Sequence, residues 1–194
     1  HATGREPDSR ARRSAALPRV GVRTGRARTR RFGSVRRHRA GALANQTVNA
    51  DPGITLRGAW AQNKETQAIE RQPAQESTRG SAASRWPVET ILGRGFGLAT
   101  VYYGDIEPDV AGAMRLGVRG TYLKPDQSAP AADEWGAIAA WAWGLSRIAD
   151  YLETDRDVDA RRLAVVGHSR LGKTALWAGA VDPRFGIVIS NDSG

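Results

Sequence analysis

The sequence predicts an α/β fold in which a mostly parallel sheet is flanked by helices. Two segments, residues 162–167 and 186–190, are almost entirely apolar, as is typical of strands buried on both faces of a parallel sheet. Helical patterns at residues 134–153 and 171–179 alternate with these strands, and such alternation is characteristic of α/β folds. A length of 194 residues suits one domain of ordinary size.

Two shorter elements precede the long helix. Residues 84–92 (SRWPVETIL) predict a helix that Ser84 caps, that has Pro87 near its start and that Gly93 ends. Residues 96–103 (FGLATVYY) are rich in β-branched and aromatic side chains, which predicts a buried strand that ends in a loop.

The strongest helical pattern covers residues 134–153. Asp133 stands before it as a cap or as a charge that suits the helix N-terminus. Its apolar residues recur at the spacing of one helix face, which predicts a helix packed on the sheet: Ile138, Trp141, Ala142, Leu145, Ile148, Ala149 and Leu152. The tryptophans at 135, 141, 143 and 177 are interpreted as core residues rather than exposed stacking platforms for a ligand.

Composition excludes several classes of protein. Hydrophobic residues make up 40% and charged residues 25% of the chain, which is normal for a globular protein. No apolar run approaches the roughly 20 residues of a membrane span. The chain has no cysteine, which excludes a disulfide scaffold, a thiolate zinc site and a cysteine nucleophile.

The basic character of the chain is confined to its first 40 residues. The net charge is +9 overall, yet residues 1–40 hold 13 arginines, no lysine and only two acids, whereas residues 41–194 hold 16 basic and 18 acidic groups. Residues 1–40 also carry too little apolar surface to offset the entropy of ordering. The sequence therefore predicts a disordered arm at 1–40 and a folded domain at 41–194.

Three interpretations of this arm stay open. Arginine-rich tails bind nucleic acid, but Phe32 is the one aromatic residue within 1–40 that is available for base stacking. A targeting peptide fits the arginine content but not the missing apolar core. An out-of-frame reading of GC-rich DNA gives the same bias toward arginine, alanine and glycine. The third interpretation is therefore that residues 1–40 are not part of the native protein.

A tight turn that carries a candidate catalytic residue follows the strand at 162–167. The segment VVGHSRLGK places Ser169 between a strand and a helix, with Gly167 two residues before it and Gly172 one position later than the usual second glycine. In such a turn the serine is an exposed nucleophile, and the backbone N–H of Arg170 points to where an oxyanion would form. The alternative is an ordinary N-cap serine.

The segment Gly167–Lys173 resembles the G-C-S-R-x-G-K signature of the glucuronoyl esterases, carbohydrate esterase family fifteen. His168 replaces the cysteine, as in many bacterial members. The resemblance covers about residues 43–194 and leaves out residues 1–40. It includes Ala83–Trp86, Arg94–Thr100, Tyr102–Asp105, Asp133–Gly136, Ala175–Ala180 and Ile189–Gly194.

The resemblance implies an α/β-hydrolase fold, incomplete at the C-terminus, and a serine esterase that cleaves the ester between 4-O-methyl-glucuronic acid on xylan and lignin alcohols. It implies that Ser169 is the nucleophile, that Arg170 is an oxyanion donor and that Lys173 contacts the sugar. Asp192 matches the position of the triad glutamate of fungal relatives. The aspartate side chain is one methylene shorter than that glutamate. The alternative therefore stays open that Asp192 caps a loop and that another residue supplies the acid. His168 is expected to be structural, with its side chain directed away from the serine.

The sequence has no histidine after Ser169 to serve as the catalytic base. In α/β-hydrolases the chain order is nucleophile, acid, histidine, whereas His1, His38 and His168 all precede Ser169. We therefore expect a C-terminally truncated fragment that is close to inactive alone. The alternative function is an inactive hydrolase-like binding module whose basic arm contacts nucleic acid or another polyanion.

The expected partner is glucuronoxylan or a related uronic-acid ester. We expect no cofactor, no metal, no obligatory nucleic acid, no membrane and a monomeric chain. The resemblance implies a secreted or periplasmic protein, and the chain itself shows no signal peptide.

Overall fold

The computed structural model describes residues 21–22, 44–127 and 129–194. The strands are β1 Gly21–Val22, β2 Trp60–Gln62, β3 Ile69–Arg71, β4 Ala99–Thr100, β5 Leu163–His168 and β6 Phe185–Asn191. The helices are α1 Val88–Gly93, α2 Ala137–Thr154 and α3 Arg170–Val181. Single 3₁₀ turns lie at Asn45–Thr47, Glu76–Thr78, Ala83–Arg85, Tyr103–Asp105, Ala113–Leu116, Val118–Thr121 and Ala160–Arg162.

The parallel pair of β5 and β6 is the centre of the structure. Its register runs from Leu163 opposite Phe185 to His168 opposite Asn191, which confirms the two predicted strands and their parallel orientation. The predicted burial on both faces is wrong within the described residues, because β5 is buried only at alternate positions and no residue of β6 is fully buried. The other pairs, β2 with β3 and β1 with β4, are antiparallel. Within the described residues each sheet has two strands, so the predicted parallel sheet is present as the β5–β6 pair.

Helix α2 confirms the amphipathic pattern but begins three residues later than predicted. Its N-cap is Gly136 rather than Asp133. The Glu134 carboxylate instead accepts hydrogen bonds from the backbone N–H of Ala131 at 2.8 Å and from the Gln127 side chain at 2.7 Å, which fixes Glu134 in the preceding loop. The buried residues of α2 are those of the predicted stripe and its neighbours: Ala140, Trp141, Ala142, Gly144, Leu145, Ser146, Ile148, Ala149 and Leu152.

The helix predicted at 84–92 is divided in two by its proline. Ala83–Arg85 is a separate 3₁₀ turn, and α1 begins at Val88, so Ser84 caps nothing. Trp86 has φ −125° and ψ 82°, because a residue that precedes proline is driven out of the helical region. Gly93 is the last residue of α1, as predicted, and the chain then turns at Gly95, whose φ is 79°.

The strand predicted at 96–103 is much shorter in the structure. Ladder pairing is restricted to β4, where Ala99 and Thr100 face β1, and Tyr103 already belongs to a 3₁₀ turn. Leu98, Ala99, Val101, Tyr102 and Tyr103 are buried as predicted, whereas Phe96 is 37% exposed. Among the described residues this segment shares no ladder with β5. An apolar cavity lies between the two, and Ala99, Val101 and Val165 are among the residues that line it.

The predicted disorder of residues 1–40 and the proposed domain boundary at residue 41 fall on a part of the chain of which only Gly21 and Val22 are described. The exception is β1, whose two residues pair with β4 where the sequence predicts an unstructured arm. Of the described helices, none combines the length and the apolar character that crossing a membrane requires.

A buried ion pair fixes the loop that follows β4. The Glu107 side chain is fully buried and pairs with Arg119 at 2.8 Å, and the Glu107 carbonyl accepts a hydrogen bond from the Trp141 indole at 2.8 Å. Burial raises the pKa of Glu107, and Arg119 opposes that rise. Trp141 is itself buried and meets Tyr103 edge-on at 5.3 Å, which confirms its core position.

Arg184 joins the start of β6 to α2. Its guanidinium contacts Asp182 at 2.6 Å, Asp150 at 2.8 Å and Glu153 at 3.0 Å. It also donates to the backbone carbonyl of Ser146 at 3.1 Å. Hydrogen bonds from Arg184 lower the pKa of the Asp182 carboxyl from 3.8 to about 2.

We predict that Asp182→Asn destabilises the fold in a pH-dependent way. A carboxyl whose pKa falls on folding stabilises the native state above its unfolded pKa, and that contribution is lost as the pH falls through the folded pKa. The variant should therefore lose about 2 kcal/mol of unfolding free energy at pH 7, and the difference should shrink between about pH 4 and pH 2. Urea denaturation at several pH values measures this, with exposed Asp133→Asn as control. A difference that stays constant over this range contradicts an electrostatic origin.

Candidate active site

Ser169 occupies a strained turn between β5 and α3. Its φ of 57° and ψ of −126° lie where side chains other than glycine are rarely found, and such conformations cost about 1–3 kcal/mol. The backbone N–H of Ser169 donates to the carbonyl of Asn191 at 2.9 Å, and its own carbonyl accepts from Gly172 at 2.8 Å. The predicted strand–serine–helix turn is therefore present, with the geometry of a nucleophile elbow.

Two glycines allow the chain to make this turn. A Cβ atom at Gly167 would lie 1.8 Å from the carbonyl oxygen of Leu171, and a Cβ atom at Gly172 would lie 2.8 Å from the Cβ of Ser193. The shifted position of the second glycine has a packing reason. Leu171 is buried in the core, whereas residue 172 faces the chain that leaves β6.

Arg170, the first residue of α3, is tied to a distant loop. Its Nη1 atom lies 2.6 Å from an Asp109 carboxylate oxygen, and the Arg170 side chain is 47% exposed against 15% for Asp109. Asp109 follows the loop anchored by buried Glu107, so the contact is built on fixed backbone. Sequence reasoning missed Asp109; the available signal was an acidic residue beyond the end of a predicted strand, where ligand-binding residues of α/β sheets are found.

Lys173 lies one helical turn beyond Ser169, and its backbone N–H donates to the Ser169 carbonyl at 3.2 Å. Its side chain lines an open groove of about 500 Å³ between α3 and the start of α2, together with Trp177 and Ile138. Trp177 is 51% exposed, so its predicted core position is wrong. The i, i+4 spacing places Lys173 and Trp177 on the same exposed face of α3.

Asp192 follows β6 at the same edge of the sheet as Ser169, as the predicted topology requires. Its φ is 49°, a left-handed conformation that aspartate tolerates better than most residues. One carboxylate oxygen lies 4.0 Å from Nε2 of His168, and the Asp192 side chain is 82% exposed. The other ring nitrogen of His168 lies 3.0 Å from the Asn191 amide nitrogen, so His168 contacts the end of β6.

Residues 44–127 and 129–194 contain no group of three or more histidine, aspartate or glutamate side chains arranged to hold a metal ion.

Comparison with known proteins identifies the family. A family model described as "Glucuronyl esterase, fungi" matches residues 130–194. Carbohydrate esterase MZ0003, from an unknown prokaryotic organism, is 48% identical over 150 residues, which make up 77% of this chain and 34% of that protein. The chain belongs to the glucuronoyl esterase family.

Two further relatives show how much of a related protein this chain covers. The 4-O-methyl-glucuronoyl methylesterase of Podospora anserina is 40% identical over 103 residues, covering 50% of this chain and 20% of that protein. The solved structure of a glucuronoyl esterase from Solibacter usitatus is 48% identical with a TM-score of 0.74, covering 93% of this chain and 41% of that chain. The chain thus spans about two fifths of this solved structure and about a third of carbohydrate esterase MZ0003.

We predict that Gly167→Ala disrupts the elbow. Because the new Cβ would meet a backbone carbonyl at 1.8 Å, the turn must open, at a cost of about 3 kcal/mol of unfolding free energy. Gly93→Ala in α1 is the matched control, since a Cβ there meets nothing within 4 Å. Urea denaturation of both variants measures the difference. Equal stability of the two variants contradicts the steric account of the turn.

Proposed function

We propose that this chain forms the nucleophile-bearing part of a serine esterase that hydrolyses 4-O-methyl-glucuronoyl esters. The observation that carries the proposal is the strained Ser169 between β5 and α3, with its φ of 57°. An ordinary N-cap serine needs no left-handed backbone, because capping residues usually have extended dihedral angles. The substrate class is proposed from the name of the Podospora anserina relative.

In the proposed reaction the Ser169 oxygen attacks the ester carbonyl carbon as its proton passes to a base. The carbonyl oxygen becomes an oxyanion, which then re-forms the double bond and expels the lignin alcohol as that alcohol takes up the proton. The resulting acyl-enzyme is hydrolysed by water to free uronate and free serine. This sequence requires an oxyanion site, a substrate site, an acid and a base.

The first turn of α3 supplies the proposed oxyanion site. The N–H groups of Gly172 and Lys173 donate to the Ser169 carbonyl, so the N–H of Arg170 precedes the first of these bonds, and the helix dipole favours negative charge there. The Arg170 guanidinium adds a full positive charge, and Asp109 holds it from the opposite side at 2.6 Å. We assign Arg170 as the oxyanion donor and Asp109 as the residue that positions it.

The groove beside α3 supplies the proposed substrate site. The Lys173 ammonium is a cation suited to a uronic acid, and exposed Trp177 lines the same groove, where its ring offers an apolar surface to a sugar ring. Lys173 is therefore proposed as a substrate-binding residue.

Asp192 is the proposed acid, since it shares the carboxyl edge of the β5–β6 pair with Ser169. Its side chain is exposed and available to a histidine that approaches from outside the described residues. His168 directly precedes the serine and contacts Asn191, so we do not assign it as the base. We propose that the base comes from a region that the relatives have and this chain does not span, and that the chain alone is therefore nearly inactive.

The experiment that tests the function is a fused chimera. This chain is joined to the part of the Solibacter usitatus esterase that follows the position aligned with Gly194, and hydrolysis of an alkyl or aryl glucuronate ester is measured. We predict turnover that Ser169→Ala lowers by about 10⁴-fold or more, while the unfused chain shows less than a tenth of the activity. A chimera in which Ser169→Ala retains activity within fivefold contradicts the assignment of the nucleophile.

The same chimera tests the acid. We predict that Asp192→Asn lowers kcat by about 10⁴-fold if Asp192 alone holds the histidine tautomer, by analogy with Ser-His-Asp proteases. Asp192→Glu should retain much more activity, because it keeps the charge. Exposed Asp133→Asn is the control. A loss below fivefold in Asp192→Asn assigns the acid role to another carboxylate.

A further inference from the structure

The loop that follows β4 carries acidic residues at three alternate positions, in the segment Asp105–Asp109 (DIEPD), called the acidic loop. Each of the three carboxylates forms an ion pair with an arginine from a different part of the fold. These pairs are Asp105 with Arg71 at 2.8 Å, Glu107 with Arg119 at 2.8 Å and Asp109 with Arg170 at 2.6 Å. The acidic side chains are no more than 15% exposed, and charges at that depth are retained when they are paired. The acidic loop is therefore fixed at three points.

The central pair of the acidic loop is the most enclosed. The Glu107 side chain is fully buried, and the Arg119 side chain is 13% exposed. Arg119 donates to one Glu107 carboxylate oxygen from its Nε atom at 2.9 Å and to the other from its backbone N–H at 3.3 Å. A Cβ atom at Gly117 would lie 2.0 Å from the second oxygen, so the backbone packs directly against this carboxylate. The position of Glu107, and with it that of the acidic loop, depends on Arg119.

Arg119 also reaches the groove beside α3. Its Nη1 atom donates to the Trp135 carbonyl at 3.2 Å. The next residue, Gly136, is the N-cap of α2 and lines the groove together with Lys173. An arginine can serve both partners because its planar fork presents donors in several fixed directions. One guanidinium therefore joins the acidic loop to the wall of the proposed substrate site.

We propose that Arg119 is a positioning residue for both halves of the candidate active site. Through Glu107 and Asp109 it holds the Arg170 guanidinium at the place where the oxyanion forms. Through the Trp135 carbonyl it holds the wall of the groove. Arg119 acts through these residues without touching the substrate. The inference rests on the proposed function, because it concerns the same oxyanion and substrate sites.

The first test is Arg119→Lys in the chimera described above. Lysine keeps the charge that Glu107 requires but puts a compact ammonium in place of the fork that spans both partners. We expect kcat to fall about tenfold or more, since loss of one oxyanion donor costs about 10²–10³-fold, and KM to rise about threefold. Arg184→Lys is the matched control, because Arg184 also bridges several partners but directly precedes β6, at the end of the strand opposite to Ser169. Its kcat should stay within about twofold of the unaltered chimera.

A double-mutant cycle separates positioning from a general loss of structure. In an Arg170→Met background, Arg119→Lys should lower kcat less than about threefold, because the group that it positions is gone, whereas the rise in KM should persist. Equal losses of kcat in both backgrounds overturn the proposal. Where Arg119→Lys does not fold by circular dichroism, Glu107→Gln, which keeps the side-chain volume, takes its place in the cycle.

A second measurement uses the chain alone and needs no turnover. Phenylglyoxal reacts with guanidinium groups, and mass spectrometry of proteolytic peptides gives its rate at Arg170. We expect Arg119→Lys to raise that rate about threefold, as Asp109→Asn does by removing the partner directly, and Arg184→Lys to leave it unchanged. A rate at Arg170 that Arg119→Lys does not alter overturns the proposal. Faster modification, together with a chimera that shows no Ser169-dependent hydrolysis, supports the positioning of Arg170 and refutes the proposed function.

Discussion

The turn at Ser169 is the constraint on which the candidate site depends. Ser169 is not a glycine, yet its φ is 57°. Two backbone hydrogen bonds hold it there: its N–H donates to the Asn191 carbonyl, and its carbonyl accepts from the Gly172 N–H. These bonds require β6 to lie beside β5 and α3 to begin at once. Arg170 and Lys173 follow from this arrangement because they belong to α3, which the turn begins. Asp192 follows from it because it comes directly after β6, whose end accepts the Ser169 N–H.

Periodicity was enough to predict the central elements. The apolar runs of β5 and β6 and the helical stripe of α2 were predicted because burial on a sheet leaves a repeating pattern in the sequence. Boundaries were less accurate, since they depend on local interactions that periodicity does not encode. Glu134 accepts two hydrogen bonds outside the helix, and Pro87 restrains the residue before it.

The candidate site was predictable to the extent that it is local. Ser169, Arg170 and Lys173 lie within five residues of one another, and Asp192 shares a sheet edge with them through topology. The pairing of Arg170 with Asp109 spans 61 residues. The position of Asp109 after a predicted strand marks it as a candidate but does not indicate which residue it pairs with. The exposure of Trp177 was missed for a related reason, because a tryptophan in an amphipathic helix has the same pattern whether or not another element covers it.

The contiguity of β5, α3 and β6 has a consequence for the order of folding. The three elements follow one another without interruption, so their contacts close only short loops, which costs little chain entropy and favours rapid formation. The loop that carries Asp109 must instead be brought back from far earlier in the chain. We therefore expect the serine turn to form as an early folding unit, before its arginine is fixed in place. A chain built in this way fixes the turn that carries Ser169 early in folding and the position of the Arg170 side chain late.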